Sequence, residues 1–493
     1  MKIIPRLTLD SCKDRNRSRR LYEFRGFPFG DSTLGVNNTD IKSLYKAIAE
    51  RLFKCKIDGI FQDPLVTDSE RVNNYLGIFQ RKLNRIIGTL TPSSHLEVVN
   101  SYKGRRKTIY EKAYMSLLCK PVQKKDAYSI QFQKVEKIDT KKIPRCISPR
   151  NPRYNLELGR YLKLAEHKIL RCIDRVFGYT VVGKGYNVRQ LGKIVHDHWS
   201  QFRDPVCVVL DGVKFDAHVN EHLLRWEHQI YLNAYRNCRF LAKLLGWQIN
   251  NVGFAVCYDG VLKFFMKGRR YSGDMNTSLG NITIMLGWVY RMLLDIDLLT
   301  RTRVLNNGDD TIVFMERSDL QKFLAHITPS AATIGLRIRV DYVVDVIEKV
   351  RFCQMAPIYT PTGYVMQRDY YNVIAKDVLS THNLLDRKTR EAWMYAVGYG
   401  GLAMSGEMPI LRNMYYSYLR FGRKTNFWQD PELMKSAFFY WGRGLVPYFS
   451  RIEPETRLSF YVAFGVTPDE QTSLEAWFDK VDLYNIVQDE FDR

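Results

Sequence analysis

Residues 304–314 restrict this chain more than any other stretch. Val304-Leu305 and Thr311-Ile312-Val313-Phe314 are apolar or β-branched runs, and Asn306-Asn307-Gly308-Asp309-Asp310 stands between them. Turn formers between two such runs predict a β-hairpin. Its tip carries two adjacent acids, which no packing rule demands. They repel each other, and in a cleft both stay ionised near neutral pH only beside a cation. Carboxylates fixed on a tight turn suit Mg²⁺ held against a phosphate. A solvated turn tolerates the same residues, so the pair gains meaning only from other acids in the chain.

A second acid is placed by a buried strand. Val206-Cys207-Val208-Val209-Leu210 is a short apolar run of the fully buried type. Asp211 ends it, at the strand terminus where ligands gather in α/β folds. An unpaired buried acid is costly, so Asp211 needs a reason to be there; Asp216 also reads as a helix cap. A third segment runs from Arg270 through Ser272-Gly273-Asp274 to Thr277 and Asn281. A capped helix explains the Ser-Gly turn. It does not explain Thr277 and Asn281, which share one helical face at i and i+4.

Composition narrows the partner. The 493 residues allow two or three subdomains. Lys and Arg number 74 against 52 acids, a net charge of +22, which suits a polyanion; an anionic membrane is the other reading. The excess is local: residues 102–150 hold 14 Lys and Arg against 4 acids, as a groove or channel would, whereas residues 469–493 lean acidic. The 9 Cys form no C-x-x-C pair, which argues for reduced cytosolic thiols rather than a zinc site or disulfide framework. Between His218 and His222 no Glu stands at the zincin position, the His residues read as surface or core, and Trp226, Trp247 and Trp288 read as packing residues. No secretory signal follows Met1. The apolar stretch 279–299 contains Arg291, Asp295 and Asp297 and reads as a buried helix, not a membrane span.

Periodicity predicts helices over residues 41–54, 72–87, 161–177, 221–245, 276–299 and 320–327, and a mainly helical, aromatic-rich region from residue 384. Residues 1–40 read as irregular. The basic segment 102–150, broken by Pro121, Pro144 and Pro149 with Pro152 just beyond, reads as loop or strand.

In order, D-x4-D (Asp211, Asp216), S-G-x3-T-x3-N (Ser272, Gly273, Thr277, Asn281) and G-D-D (Gly308, Asp309, Asp310) resemble motifs A, B and C of viral RNA-dependent RNA polymerases. Upstream, Phe132-Gln133-Lys134-Val135-Glu136-Lys137 and the stretch from Pro144-Arg145 through Pro149-Arg150 to Tyr161 resemble motif F of the tombusvirus-like (Tombusviridae-related) enzymes. Gly183-Lys184-Gly185-Tyr186-Asn187 is similar to a segment ahead of motif A in that group. Val350-Arg351-Phe352-Cys353-Gln354 resembles its motif E, and the stretch from Ala463 to Gln471 its C-terminal end. The likeness runs from about Asp40 to Glu475.

The resemblance implies an α/β right-hand polymerase with fingers, a palm made of a small antiparallel sheet flanked by helices, and a helical thumb. It divides the chain into an N-terminal extension and fingers (1–200), palm motif A (201–218), a fingers insertion (219–268), palm motifs B to E (269–365), and thumb and tail (366–493). The implied activity is template-directed RNA synthesis from NTPs for a positive-strand RNA virus, with primer-independent initiation. Two Mg²⁺ ions, replaceable by Mn²⁺, would sit on Asp211, Asp309, Asp310 and the Gly212 carbonyl. Asp216 and Asn281 would read the ribose 2′-hydroxyl, with Ser272, Gly273 and Thr277 positioning ribose and template. Arg145, Arg150 and Lys134 would hold the triphosphate, and Lys349 is the candidate motif D acid. Implied partners are a single-stranded RNA template, the nascent duplex, and a viral membrane-anchoring protein that brings the chain to membrane-associated replication complexes in the host cytoplasm. A reverse transcriptase would carry an apolar or aromatic residue where Gly308 stands. An RNA-binding structural protein has no use for the ordered acids.

Overall fold

The computed structural model describes residues 7–11, 19–24, 27, 34–38, 40–57, 59–139, 141–424, 437–483 and 487–489. At its centre lies a four-stranded antiparallel sheet. Its strands are β1 (Pro205–Gly212), β2 (Thr302–Asn307), β3 (Asp310–Glu316) and β4 (Ile338–Val344), in the order β2-β3-β1-β4. The apolar run of β1 reflects burial on both faces. Val206, Val208 and Leu210 join Val304, Val313 and Met315 in one core. Cys207 and Val209 join Leu305, Ile312 and Phe314 in a second. A strand that serves two cores shows no polar alternation.

The helices of the two cores that flank this sheet are α1 (Ser69–Ile87), α2 (Glu166–Phe177), α3 (Val188–Trp199), α4 (Glu221–Ala234), α5 (Thr277–Asp295), α6 (Leu320–Thr333), α7 (Arg387–Ser405) and α8 (Leu411–Phe421). α1, α2, α4, α5 and α6 fill the first core. α5 is buried around most of its circumference, as its lack of a polar face dictates. α3, α7, α8 and the hairpin Met355–Ile358/Val365–Arg368 pack on the second core. Trp226 and Trp288 are both core residues.

A second sheet is built largely from the segment between β1 and β2. The hairpin Asn250–Cys257/Gly260–Lys267 forms its middle, Leu7–Ser11 one edge, and Ser129–Ile130 the other, parallel, edge. Helix Ile41–Ile48 covers one face through Ile41, Leu44 and Ile48. The short ladder Phe132–Gln133/Cys146–Ile147 extends beside it.

Several elements differ from the sequence reading. Helix Gly104–Cys119 occupies the first third of the basic segment, which was expected to be loop or strand. All of that segment's prolines lie beyond it, so nothing in residues 104–119 breaks a helix. The expected helix 161–177 is two helices, Pro152–Leu162 and α2. The expected helix 221–245 divides into α4 and Arg239–Gly246, because Arg236 and Asn237 adopt left-handed backbone between them. α6 runs on to Thr333 with Pro329 inside it. Of residues 1–40, the described ones include three short strands, and most of the basic run 13–20 lies outside the described residues. No cysteine is disulfide-bonded among the described residues, and none of their helices is long and apolar enough to cross a membrane.

Candidate active site

Three acids meet at one end of the central sheet. Asp211 is the penultimate residue of β1, in register with Arg339 on β4. Asn307 and Asp310 are the last ladder pair of the β2–β3 hairpin, so Gly308 and Asp309 form its turn. Gly308 has φ +87°, a conformation glycine takes without strain. Asn306 shapes the turn: its Oδ1 accepts from the Gly308 amide at 3.2 Å, and its Nδ2 donates to the Gly308 carbonyl at 2.8 Å and the Thr311 hydroxyl at 2.8 Å. Behind it, Gly183 donates to the Asn306 carbonyl at 2.8 Å, which docks the 183–187 segment on the hairpin. The turn Phe352–Met355, with Cys353 and Gln354 at positive φ, packs beside it, the Phe352 ring against Gly183, and the Asn307 amide reaches the Cys353 Sγ at 3.3 Å.

The electrostatics follow from this crowding. Burial raises the Asp211 carboxyl above its ordinary range; Asp341 and Asp309 add to that and Arg339 opposes it. Burial also raises Asp309, reinforced by Asp216 and eased by Arg145. Asp310 is pushed up to about 6, by burial first and then by Asp309, Asp211 and Asp341. Like charges in partial burial raise one another's pKa, and a bound cation reverses the effect. The donors are hard carboxylate oxygens, the set that Mg²⁺ or Mn²⁺ prefers. Among the described residues no three such groups converge closely enough to make a preassembled metal cage. Arg339 supplies the local positive charge instead, with Nη2 3.0 Å from the Asp211 carboxylate and Nε 2.8 Å from Asp341. Asp341 is the extra residue of a bulge in β4, where the register slips between Val209 and Leu210.

The Asp216 and Asn281 side chains are directly bonded, Asn281 Nδ2 donating to Asp216 Oδ1 at 3.0 Å. Ser272 and Gly273 form the loop that leads into α5. The Ser272 carbonyl accepts from the Ser148 amide at 2.7 Å, joining that loop to the basic segment. Thr277 opens α5, and its hydroxyl bonds back to the carbonyls of Tyr271 at 2.7 Å and Asp274 at 3.0 Å. Lys134 and Arg145 face each other across a ladder and share Glu136, at 2.9 and 3.5 Å. Both remain substantially exposed, so they are available to a ligand.

This combination of parts has clear relatives. A model of the viral RNA dependent RNA polymerase family matches residues 9–485. The chain belongs to that family. The polymerase family implies a right-hand fold, with which the mixed helix and sheet architecture is compatible. Among curated proteins, the RNA-directed RNA polymerase of Tobacco necrosis virus (strain A) is 34% identical over 484 residues, which cover 96% of this chain and 65% of that protein. The corresponding polymerase of Turnip crinkle virus is 36% identical over 475 residues, covering 94% and 60%, and that of Melon necrotic spot virus 35% over 473, covering 94% and 59%. The chain thus spans about three fifths of the length of these relatives. The resemblance to tombusvirus-like polymerases holds, and the match extends beyond residues 40–475 at both ends.

Within this family member, Arg150 differs from the role expected of it. It is 3% exposed, and its nitrogens bond Asp274 at 2.5 and 3.1 Å, the Ala127 carbonyl at 2.6 Å and Asn251 at 2.7 Å. A guanidinium so buried and bonded is a strut between the basic segment and the Ser272-Gly273 loop. Lys349 lies exposed in the turn Ile347–Lys349, beyond the end of β4 opposite Asp211, and pairs with no carboxylate among the described residues. Gly212 ends β1 against the Phe215 ring, 2.8 Å from where a Cβ would stand. Sequence reading missed Arg339, Asp341 and Arg51. Arg51 donates to the carbonyls of Pro144 at 3.1 Å and Ile143 at 3.3 Å and lies within electrostatic reach of Asp216 and Arg145. An Arg on a strand beside an acid-bearing strand was a usable signal for Arg339; nothing local marks Arg51.

Proposed function

We propose that this chain is an RNA-directed RNA polymerase that copies a single-stranded template of a positive-strand RNA virus from NTPs. The observation that carries this is the meeting of Asp211 with Gly308-Asp309-Asp310 on adjoining strands, where mutual repulsion calls for cations. In this reading the central sheet is the palm. Residues 1–200 and 219–268 are the fingers, motifs A and B to E lie in 201–218 and 269–365, and 366–493 is the thumb and tail.

Asp211, Asp309, Asp310 and the Gly212 carbonyl would hold two Mg²⁺ ions, with Mn²⁺ able to replace them. When bound, the ions would lower the pKa of the attacking 3′-hydroxyl and neutralise the triphosphate and leaving pyrophosphate. The rest of the work falls to the chain. Asp216 and Asn281 together offer an acceptor and a donor, which matches the 2′-hydroxyl of an incoming ribonucleotide. Arg145 and Lys134, held by Glu136, meet the triphosphate, for which a planar guanidinium suits two oxygens at once. Arg150 positions that segment against the Ser272-Gly273 loop. Thr277 braces the loop, and Ser272 and Gly273 face ribose and template. Initiation is primer-independent, and a separate viral membrane-anchoring protein brings the chain to membrane-bound replication complexes in the host cytoplasm.

The deciding experiment is incorporation of labelled NTP on single-stranded RNA with Mg²⁺, wild type against Asp309→Ala. A drop of about a thousandfold or more, with RNA binding retained, is expected from the loss of one carboxylate beside two cations. Equal incorporation by both proteins would refute the assignment. RNA binding without synthesis by either would favour the RNA-binding structural protein.

A further inference from the structure

Behind the Asp216–Asn281 pair lies an ion pair that this reading does not use. Glu227 of α4 is fully buried and Arg270 is 1% exposed. The Arg270 Nη2 bonds Glu227 Oε2, and its Nε donates to Asn281 Oδ1 at 2.8 Å. The other Glu227 oxygen accepts from Tyr231 at 2.7 Å and from Asn276 at 2.7 Å. The Arg270 amide also donates to the Asp216 carbonyl at 3.1 Å.

We propose that the Glu227–Arg270 pair is the positioning device that fixes the Asn281 amide for reading a ribose 2′-hydroxyl, and thereby sets selectivity for ribonucleotides. The proposal rests on the ribose-reading role given to Asn281 above. An amide group has two nearly isosteric ends, and its neighbours decide which faces where. Arginine has no acceptor, so the end facing Arg270 must be the oxygen. The amino end is then directed to Asp216, which accepts it at 3.0 Å, and its second hydrogen stays free for a ligand. Without Arg270 the amide is held by Asp216 alone, through one hydrogen bond at its amino end, and its oxygen is no longer anchored, so the tilt of the amide toward the ribose is not fixed.

The surrounding backbone is adapted to this pair. Gly280 is the position on α5 where the pair approaches. A Cβ there would stand 2.3 Å from the Arg270 guanidinium and 2.4 Å from Glu227 Oε1. Only glycine leaves room for the ion pair against the helix.

The test is the ratio of kcat/KM for an NTP to that for its 2′-deoxy counterpart, measured for wild type, Asn281→Ala, Arg270→Lys and the double variant Glu227→Gln/Arg270→Met. Lysine retains the charge but lacks the fork that spans Glu227 and Asn281. The double variant removes both charges of the pair together, so neither is left buried without its partner while the restraint is lost. Far-ultraviolet dichroism, melting temperature and RNA binding report folding separately. The ratio is expected to fall about tenfold or more in folded Arg270→Lys or in the double variant, one charge-assisted hydrogen bond being worth at least that. A merely structural role would lower NTP and dNTP use by the same factor and leave the ratio unchanged, which overturns the proposal. If Asn281→Ala itself leaves the ratio unchanged, the ribose-reading role of Asn281 fails, and the proposal with it. A ratio that collapses in Asn281→Ala but survives in both other variants refutes the relay alone.

Discussion

Arg150→Ala separates two roles that a motif-based reading cannot distinguish. If Arg150 held the triphosphate, its loss would raise the KM for NTP and leave stability unchanged. In the structure it is a buried strut. Asp274 is 9% exposed and takes two of its hydrogen bonds, and Ala127 and Asn251 take the others. Truncation leaves a buried carboxylate without its partner, which costs about 3–5 kcal/mol. An unfolding entropy of about 2 cal/mol/K per residue gives about 1 kcal/mol/K for a chain of 493 residues. The melting temperature should therefore fall by about 3–5 °C. Asp274→Ala, which strands the guanidinium, should cost a similar amount. Because the two groups act on each other, the double variant should fall short of the summed losses by about 1–3 kcal/mol. Thermal and urea denaturation of all four proteins without metal or nucleotide completes the cycle. An Arg150→Ala protein that melts with wild type and shows only a raised KM for NTP would refute the strut.

Two further outcomes follow from individual charged groups. Arg339→Gln should tighten binding of Mn²⁺ by calorimetry by up to about fivefold, the worth of a mostly exposed ion pair that the metal no longer has to displace; unchanged or weaker binding would refute that competition. His198 is buried, its Nδ1 has no hydrogen-bond partner, and burial followed by Arg303 lowers its pKa to about 4. Between its unfolded value near 6.5 and about 4 the unfolded chain binds the extra proton, so stability is lost as pH falls through that window, by up to about 3 kcal/mol. His198→Phe, which keeps the edge contacts to Tyr179 and Phe314, should flatten the loss in denaturation measured from pH 7 to pH 4.5, and an unaltered slope would count against it.

What could be read directly from the chain was local. The turn formers between two apolar or β-branched runs prescribe the hairpin from within a few residues, although the turn itself is Gly308-Asp309, with Asn306 and Asn307 still on the ladder. The run 206–210 prescribes a strand buried on both faces, with Asp211 displayed at its end. The order of acids then identified the family. Reading failed where the decisive break was subtle, as at Arg236-Asn237, or where prolines at one end of a segment were allowed to speak for all of it, as in helix Gly104–Cys119.

The functions of the basic side chains were not local. A lysine or arginine carries no mark of its partner in its own neighbourhood, and the partners here are remote: Arg150 meets Asp274 across 124 residues, Arg339 meets Asp211 across 128, and Arg270 meets Glu227 across 43. The sequence by itself determined the hairpin, the buried strand and the identities of the acids, because backbone sterics and burial act over a few residues. Which cations are spent inside the protein and which are left for a ligand was decided only by the tertiary structure. A charge is placed by whatever desolvates and pairs it, and those groups are brought together only when the chain folds.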